Sequence, residues 1–277
     1  MQPVTTNPLS GIDHTLIGVR DLEAAQSAWR RLGFTITPRG RHIGWGTGNY
    51  CIMFPTDYVE LLGIVDPTQF LNGLDTRLAT KGEAFLGLAF AAASSSDVHA
   101  AFPDITQPPK DLGRLLELPE GDVTPRFSLV HFNPEATPGL SIFSCTHLTP
   151  EMLRRPEWLS HANGAIGLDG VTVAVAEPSA LAPAYAALFG QPSLQSGQGR
   201  LEVKVGRHTL RFLSPDRLSR RYPGLASTPV MTVRCRNLEV THSFLVGQGV
   251  PLTNAPGARL VIAPEEVNGV VLEFVEG

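Results

Sequence analysis

Basic residues are too few and too scattered in this chain to form a stripe: 22 Lys and Arg stand against 26 Asp and Glu, for a formal net charge of -4. That excludes the electrostatic footprint of nucleic-acid or anionic-membrane binding and leaves a small molecule, or another protein, as the expected partner. Cysteine is scarce. Cys51, Cys145 and Cys235 are odd in number and far apart, which excludes a disulfide framework and a paired-cysteine zinc motif and predicts buried free thiols in a reducing compartment. No apolar run approaches the ~20 residues that cross a bilayer, and the start shows no basic segment followed by an apolar core. The cytoplasm is the expected location. Also missing are a Gly-x-Ser-x-Gly elbow, a phosphate loop and a dinucleotide fingerprint, since strand-forming sequence, not a helix, follows Gly44, Gly46 and Gly48.

What is present is a hydrophobic content of 43% over 277 residues, enough for a sizeable core. Within it, His14 lies in the apolar run Ile12-Asp13-His14-Thr15-Leu16-Ile17, and Glu60 in Tyr58-Val59-Glu60-Leu61-Leu62. An imidazole and a carboxylate among residues bound for the interior are costly unless something pairs with them, and a divalent cation would serve both.

The order strand, helix, then strands recurs along the chain. In the first unit, residues 12–19 form a strand, Asp21 caps a helix that Gly33 ends, and strands follow at 34–37, 50–54 and 58–64, the last two joined by a turn at Pro55-Thr56-Asp57. Similar orders begin near residues 84, 168 and 229. Residues 1–10 read as a loose lead-in, and the proline-rich stretch 103–125 as a loop that lengthens the second unit. The expectation is an α+β chain of tandem βαβββ units, four in two halves. Residues 10–147 would hold one pair, 148–166 a connecting hinge, and 167–277 a second pair that is structural or shields the cleft.

A chain of such units, with a His in the first strand and a Glu in the last strand of a unit, resembles the vicinal oxygen chelate superfamily. The run Gly40-Arg41-His42-Ile43-Gly44-Trp45-Gly46-Thr47-Gly48-Asn49, then Tyr58-Val59-Glu60-Leu61-Leu62-Gly63-Ile64, resembles its glyoxalase-like subgroup, as do Pro150-Glu151, Pro156-Glu157-Trp158-Leu159 and His161-Ala162-Asn163-Gly164-Ala165. The resemblance implies two units edge to edge around a cleft, with a divalent metal chelating neighbouring oxygens of a substrate. It supports lyase, isomerase and dioxygenase-like chemistry alike.

The second unit departs from that pattern, because its first and last strands offer neither a His or Gln nor a carboxylate at the matching places. Our reading therefore takes His14, Glu60 and His147 as metal ligands and His42 as a further ligand or the proton-transfer group. Trp45 and Asn49 wall the cleft and orient substrate. His131 is a spare candidate, and Glu273 would join only if units one and four paired. His99, His208 and His242 read as surface. Zn, Mn, Ni or Fe(II) would suit such a donor set. The function expected is a metal-dependent enzyme acting on a small oxygen-rich molecule. Two other readings stand beside it: a metal-free binding or resistance protein of the same fold, and a cofactor-free hydrolase using His42 or His147 as base. Open sheet edges are compatible with a homodimer.

Overall fold

The computed structural model describes residues 7–225 and 229–277. Its first unit opens with β1 (Leu9–Gly18), α1 (Leu22–Arg31), β2 (Gly40–His42), β3 (Thr47–Met53) and β4 (Tyr58–Ile64). Asp21 caps α1 by accepting from the amides of Glu23 and Ala24, and Gly33 leaves the helix at φ +88°. The helix buries Leu22, Ala25 and Trp29, three positions on one face at a spacing near 3.6. A second unit follows with α2 (Leu74–Lys81), β5 (Ala84–Ala92), α3 (Ser95–Ala101), β6 (Lys110–Leu116), β7 (Arg126–His131) and β8 (Ile142–His147).

These eight strands close a barrel in the order β1-β4-β3-β2-β6-β7-β8-β5. Each unit contributes one parallel pair, β1 with β4 and β5 with β8, and the units meet through the antiparallel pair β1/β5 and through β2/β6. Units one and two therefore share a cup, and Glu273 has no route into it.

The remaining residues form β9 (Ala165–Ala174), α4 (Ala182–Phe189), β10 (Leu194–Gly197), β11 (Arg200–Val205), β12 (His208–Leu213), α5 (Pro215–Arg221), β13 (Val230–Cys235), α6 (Leu238–Gly247), β14 (Leu260–Ile262) and β15 (Val271–Glu276). Their seven-stranded sheet runs β10-β11-β12-β9-β13-β15-β14. It repeats the barrel's antiparallel centre and two parallel pairs but stays open.

Four expectations need correction. Residues 34–37 are extended without forming a ladder, because Thr37 alone meets Cys51 there and regular pairing begins only at Gly40. The stretch 103–125 is more than a loop: it holds β6, whose alternation the flanking prolines obscure. Leu9 and Ser10 already belong to β1; residues 1–6 of the expected lead-in lie outside the described residues. His208 is buried, its Nδ1 accepting from the Ile12 amide and its Nε2 donating to Asp57. Segment 148–166 is tied to the first unit through Arg154 to Phe54 O, His161 to Met53 O and Asn163 to Leu32 O. One apolar core, from Leu9 through Phe274, runs continuously between barrel and sheet. All three cysteines are buried free thiols. Among the described residues, no helix is long and apolar enough to cross a membrane.

Candidate metal centre in the barrel

The barrel encloses a cavity of ≈ 270 Å³ lined from β1 to β8 and α2, with no residue of the C-terminal sheet among its lining. His14, His42 and Glu60 lie on its wall. His14 Nε2 is 3.6 Å from Glu60 Oε2, and His42 Nε2 is 3.8 Å from Glu60 Oε1. Neither distance is a hydrogen bond. Both are close to the edge of about 3.4 Å between ligand atoms that tetrahedral coordination at 2.0–2.2 Å sets.

Each of these groups is held from behind. The Nδ1 of His14 donates to Asp13 Oδ2 at 2.7 Å, His42 Nδ1 shares a 2.9 Å hydrogen bond with Thr47 Oγ1, and Asn49 Nδ2 donates to Glu60 Oε1 at 2.6 Å. With Nδ1 spent as a donor, a neutral His14 presents the Nε2 lone pair to the Glu60 carboxylate. Two electron-rich atoms facing each other in a buried site is the arrangement a cation reconciles, and outer partners of this kind are what orient metal-ligating imidazoles. The donor set fits a divalent metal.

The position of Asp13 comes from a bulge. Ile12 pairs with Phe90 and His14 with Ala89, so Asp13 is an extra residue in β1 and escapes the alternation that would set it on the opposite face from His14. Its Oδ2 accepts from His147 Nε2 as well, at 3.0 Å. Burial opposes ionisation of Asp13, but the charge of His147 and the hydrogen bonds from both imidazoles hold the carboxyl well below the usual range. Tyr58 stacks on the His14 ring at 4.4 Å, with Phe143 edge-on at 5.5 Å.

Burial likewise works against the Glu60 carboxylate. His14, His42, Arg114 and the Asn49 hydrogen bond nevertheless bring it below its ordinary value. His42 moves the other way: burial, against the pull of Glu60 and helped by the Arg114 cation, pushes it down to about 4. It is neutral at pH 7.

The residues singled out in the sequence thus divide. His14, His42 and Glu60 meet at the cavity. His147 meets Asp13 behind them and does not line it. Asn49 grips Glu60 and also stays off the cavity wall, whereas Trp45 stands at the wall 5.9 Å from the His42 ring. His131 lines the cavity against Phe143. Glu273 is buried in the other sheet between Arg259, Arg221 and Thr232. His99 is partly buried on Thr106, and His242 is exposed.

A second donor group, Asp13, Cys145 and His147, has ligand atoms all within 4.8 Å of one another. There the Asp13 oxygen already accepts two hydrogen bonds. Burial, reinforced by the Asp13 charge, pushes the Cys145 thiol well up, so it is protonated. We read this cluster as the support of His14. Asp13 and Arg114 escaped the sequence reading, one because of the bulge and the other because its strand was taken for a loop.

The sequence matches the family described as glyoxalase-like domain over residues 12–189. The chain belongs to that family, within the vicinal oxygen chelate superfamily. No curated protein matches it. Among solved structures, it resembles a hypothetical protein from Staphylococcus aureus (TM-score 0.65, 10% identity, 96% of this chain and 98% of that one). It also resembles a triple mutant of 4-hydroxymandelate synthase from Streptomyces coelicolor (0.60, 12%, 97% and 93%). A third likeness is to a fusion protein of a xylose isomerase-like TIM barrel and 4-hydroxyphenylpyruvate dioxygenase (0.59, 13%, 100% and 51%). At these identities the likeness is one of fold. The glyoxalase-like barrel positions its candidate ligands asymmetrically: His14, His42 and Glu60 all come from unit one, and unit two presents Gly87, Phe143 and Cys145.

Proposed function

We propose that this glyoxalase-like protein is a metal-dependent enzyme that acts on a small oxygen-rich molecule by lyase, isomerase or dioxygenase-like chemistry. His14, His42 and Glu60 would hold a divalent Zn, Mn, Ni or Fe ion. The observation that carries this is that each of the three has a separate outer partner, in Asp13, Thr47 and Asn49, while their inner faces meet across gaps too wide for hydrogen bonding. Two imidazoles and one carboxylate also form the donor set used by non-haem Fe(II) oxygenases. When bound, such an ion acts as a Lewis acid on neighbouring oxygens of a ligand and stabilises the negative charge that develops there.

The protein's own groups divide the remaining work. Asp13 fixes the tautomer and ring plane of His14. Tyr58 and Phe143 pack that ring so that it cannot turn, and Leu16, Leu62, Leu112 and Leu129 give the cavity an apolar wall.

Metal content tests the reading. Protein purified without chelator or affinity metal is expected to carry about one transition-metal equivalent per chain by plasma mass spectrometry, lost in His14→Ala and Glu60→Ala. One observation favours a second reading, binding without turnover: unit two lines the cup with no carboxylate, and its His131 packs against Phe143. A wild-type protein that stays metal-free after reconstitution would select it.

A further inference from the structure

Arg114 is the cross-strand partner of His42, paired with it in the β2/β6 ladder, and lines the same cavity. The residue is 2% exposed. Its Nη1 donates to Cys51 Sγ at 3.2 Å, a weak acceptor, and its plane lies 5.5 Å from the Phe127 ring. Among the described residues no carboxylate comes within 4.0 Å of it, and both Nε and Nη2 are buried without a hydrogen-bond partner. A guanidinium stays charged at any ordinary pH, so a buried one with open donors is costly unless an acceptor arrives.

The two open nitrogens are chemically specific. Nε–H and the adjacent Nη2–H lie on one edge of the guanidinium plane, the fork that grips both oxygens of a carboxylate. The surroundings agree in sign. Lys110 stands on the same strand at even spacing, over the Trp45 ring at 5.6 Å, and Arg77 of α2 also lines the cavity, whereas Glu60 is the sole carboxylate on its wall. An anion would be drawn in past Lys110 and Arg77 toward Arg114. Leu112, Phe127 and Leu129 next to Arg114 would cover an apolar body.

We infer that the cavity binds an organic monocarboxylate, its carboxylate on the Nε–Nη2 edge of Arg114 and its apolar body against Leu112, Phe127 and Leu129. This rests on the reading of the cavity as the functional site and names its substrate class. It does not depend on whether the metal is present.

The test is calorimetric titration of chelator-treated wild-type protein with phenylacetate, 3-phenylpropionate and octanoate, each beside its uncharged primary amide. At least one acid should bind at least ten-fold more tightly than its amide, and Arg114→Met should abolish that preference while Arg126→Met, an exposed residue outside the cavity lining, retains it. Equal binding of acids and amides, or no binding by any acid, overturns the inference without touching the metal reading. A preference that persists in a folded Arg114→Met protein overturns it as well. Should that variant fail to fold, the acid-against-amide comparison on the wild type decides alone. Wild-type protein that takes up no metal on reconstitution yet keeps the preference would instead count against the metal reading only.

Discussion

Asp13 and His147, 134 positions apart in sequence, meet at 3.0 Å on the same carboxylate oxygen that fixes His14. The oxygen is shared because a one-residue bulge turns Asp13 inward. Asp13→Asn keeps the shape and removes the charge that makes Oδ2 an obligate acceptor for both rings. We expect metal affinity to fall by about 10- to 100-fold, the range measured for outer partners of metal-bound histidines. Competition with a chromophoric chelator measures it, and an unchanged affinity would show that Asp13 does not act through His14.

Gly40 faces the back of the site at close quarters. A Cβ built there would lie 2.2 Å from Asn49 Oδ1 and 2.8 Å from Arg114 Cδ, so even alanine must displace the group that grips Glu60 and the cation beside His42. Gly40→Ala should weaken both metal and carboxylate binding and destabilise the fold by about 1–3 kcal/mol, as overpacking does. Denaturant titration together with the two binding assays checks this. Intact binding would mean that Asn49 and Arg114 can yield without consequence.

Acid sensitivity is expected from His161. Its Nδ1 accepts from the Thr35 amide and its Nε2 donates to Met53 O, which requires the neutral ring. Burial pushes it down to about 4 against an opposing contribution from the Met53 hydrogen bond. The unfolded chain therefore binds the proton more readily between pH 6.5 and 4. The stability that the neutral ring provides is complete above this window and is lost as pH falls through it, amounting to about 2 kcal/mol between pH 7 and pH 5. His42, also held near 4, adds to the same slope in metal-free protein. Urea melts at the two pH values should show the loss, and His161→Gln should reduce it to the share that His42 contributes.

The repeat was legible because hydrophobic alternation and helix punctuation recur in the same order. Asp21, Gly33 and the turn at Pro55-Thr56-Asp57 do locally what their residue types dictate. His14, Glu60 and His42 stood out as polar groups in or beside apolar strands. What stayed hidden depends on departures from regularity or on distance along the chain. Alternation assigns Asp13 to the face opposite His14, and only the bulge reverses that. Prolines around β6 concealed the strand that carries Arg114. His208 sits beside a turn, where a surface position is the ordinary expectation, yet it is buried by contacts to residues 151 and 196 positions away. Glu273 matched Glu60 by place in its unit but is neutralised by Arg259 and Arg221, which only the folded sheet brings to it.

The contact between His208 and Asp57 is one of the buried polar links between barrel and C-terminal sheet. Asp57 Oδ2 accepts from His208 Nε2 at 3.2 Å and from Thr56 Oγ1 at 2.9 Å, and Oδ1 accepts from the Leu168 amide at 2.7 Å. Both side chains are almost fully buried. Removing the carboxylate leaves an imidazole N–H and a backbone N–H without acceptors in a dry interface, so Asp57→Ala should cost about 3–5 kcal/mol. Asp57→Asn keeps an acceptor for the Leu168 amide and should cost less. Because Asp57 lies outside the cavity lining, metal content and carboxylate binding should survive in whatever fraction stays folded. Chemical denaturation gives the ranking of the two variants. Equal stability of Asp57→Ala and wild type would show that the apolar core common to both halves holds them together without this link.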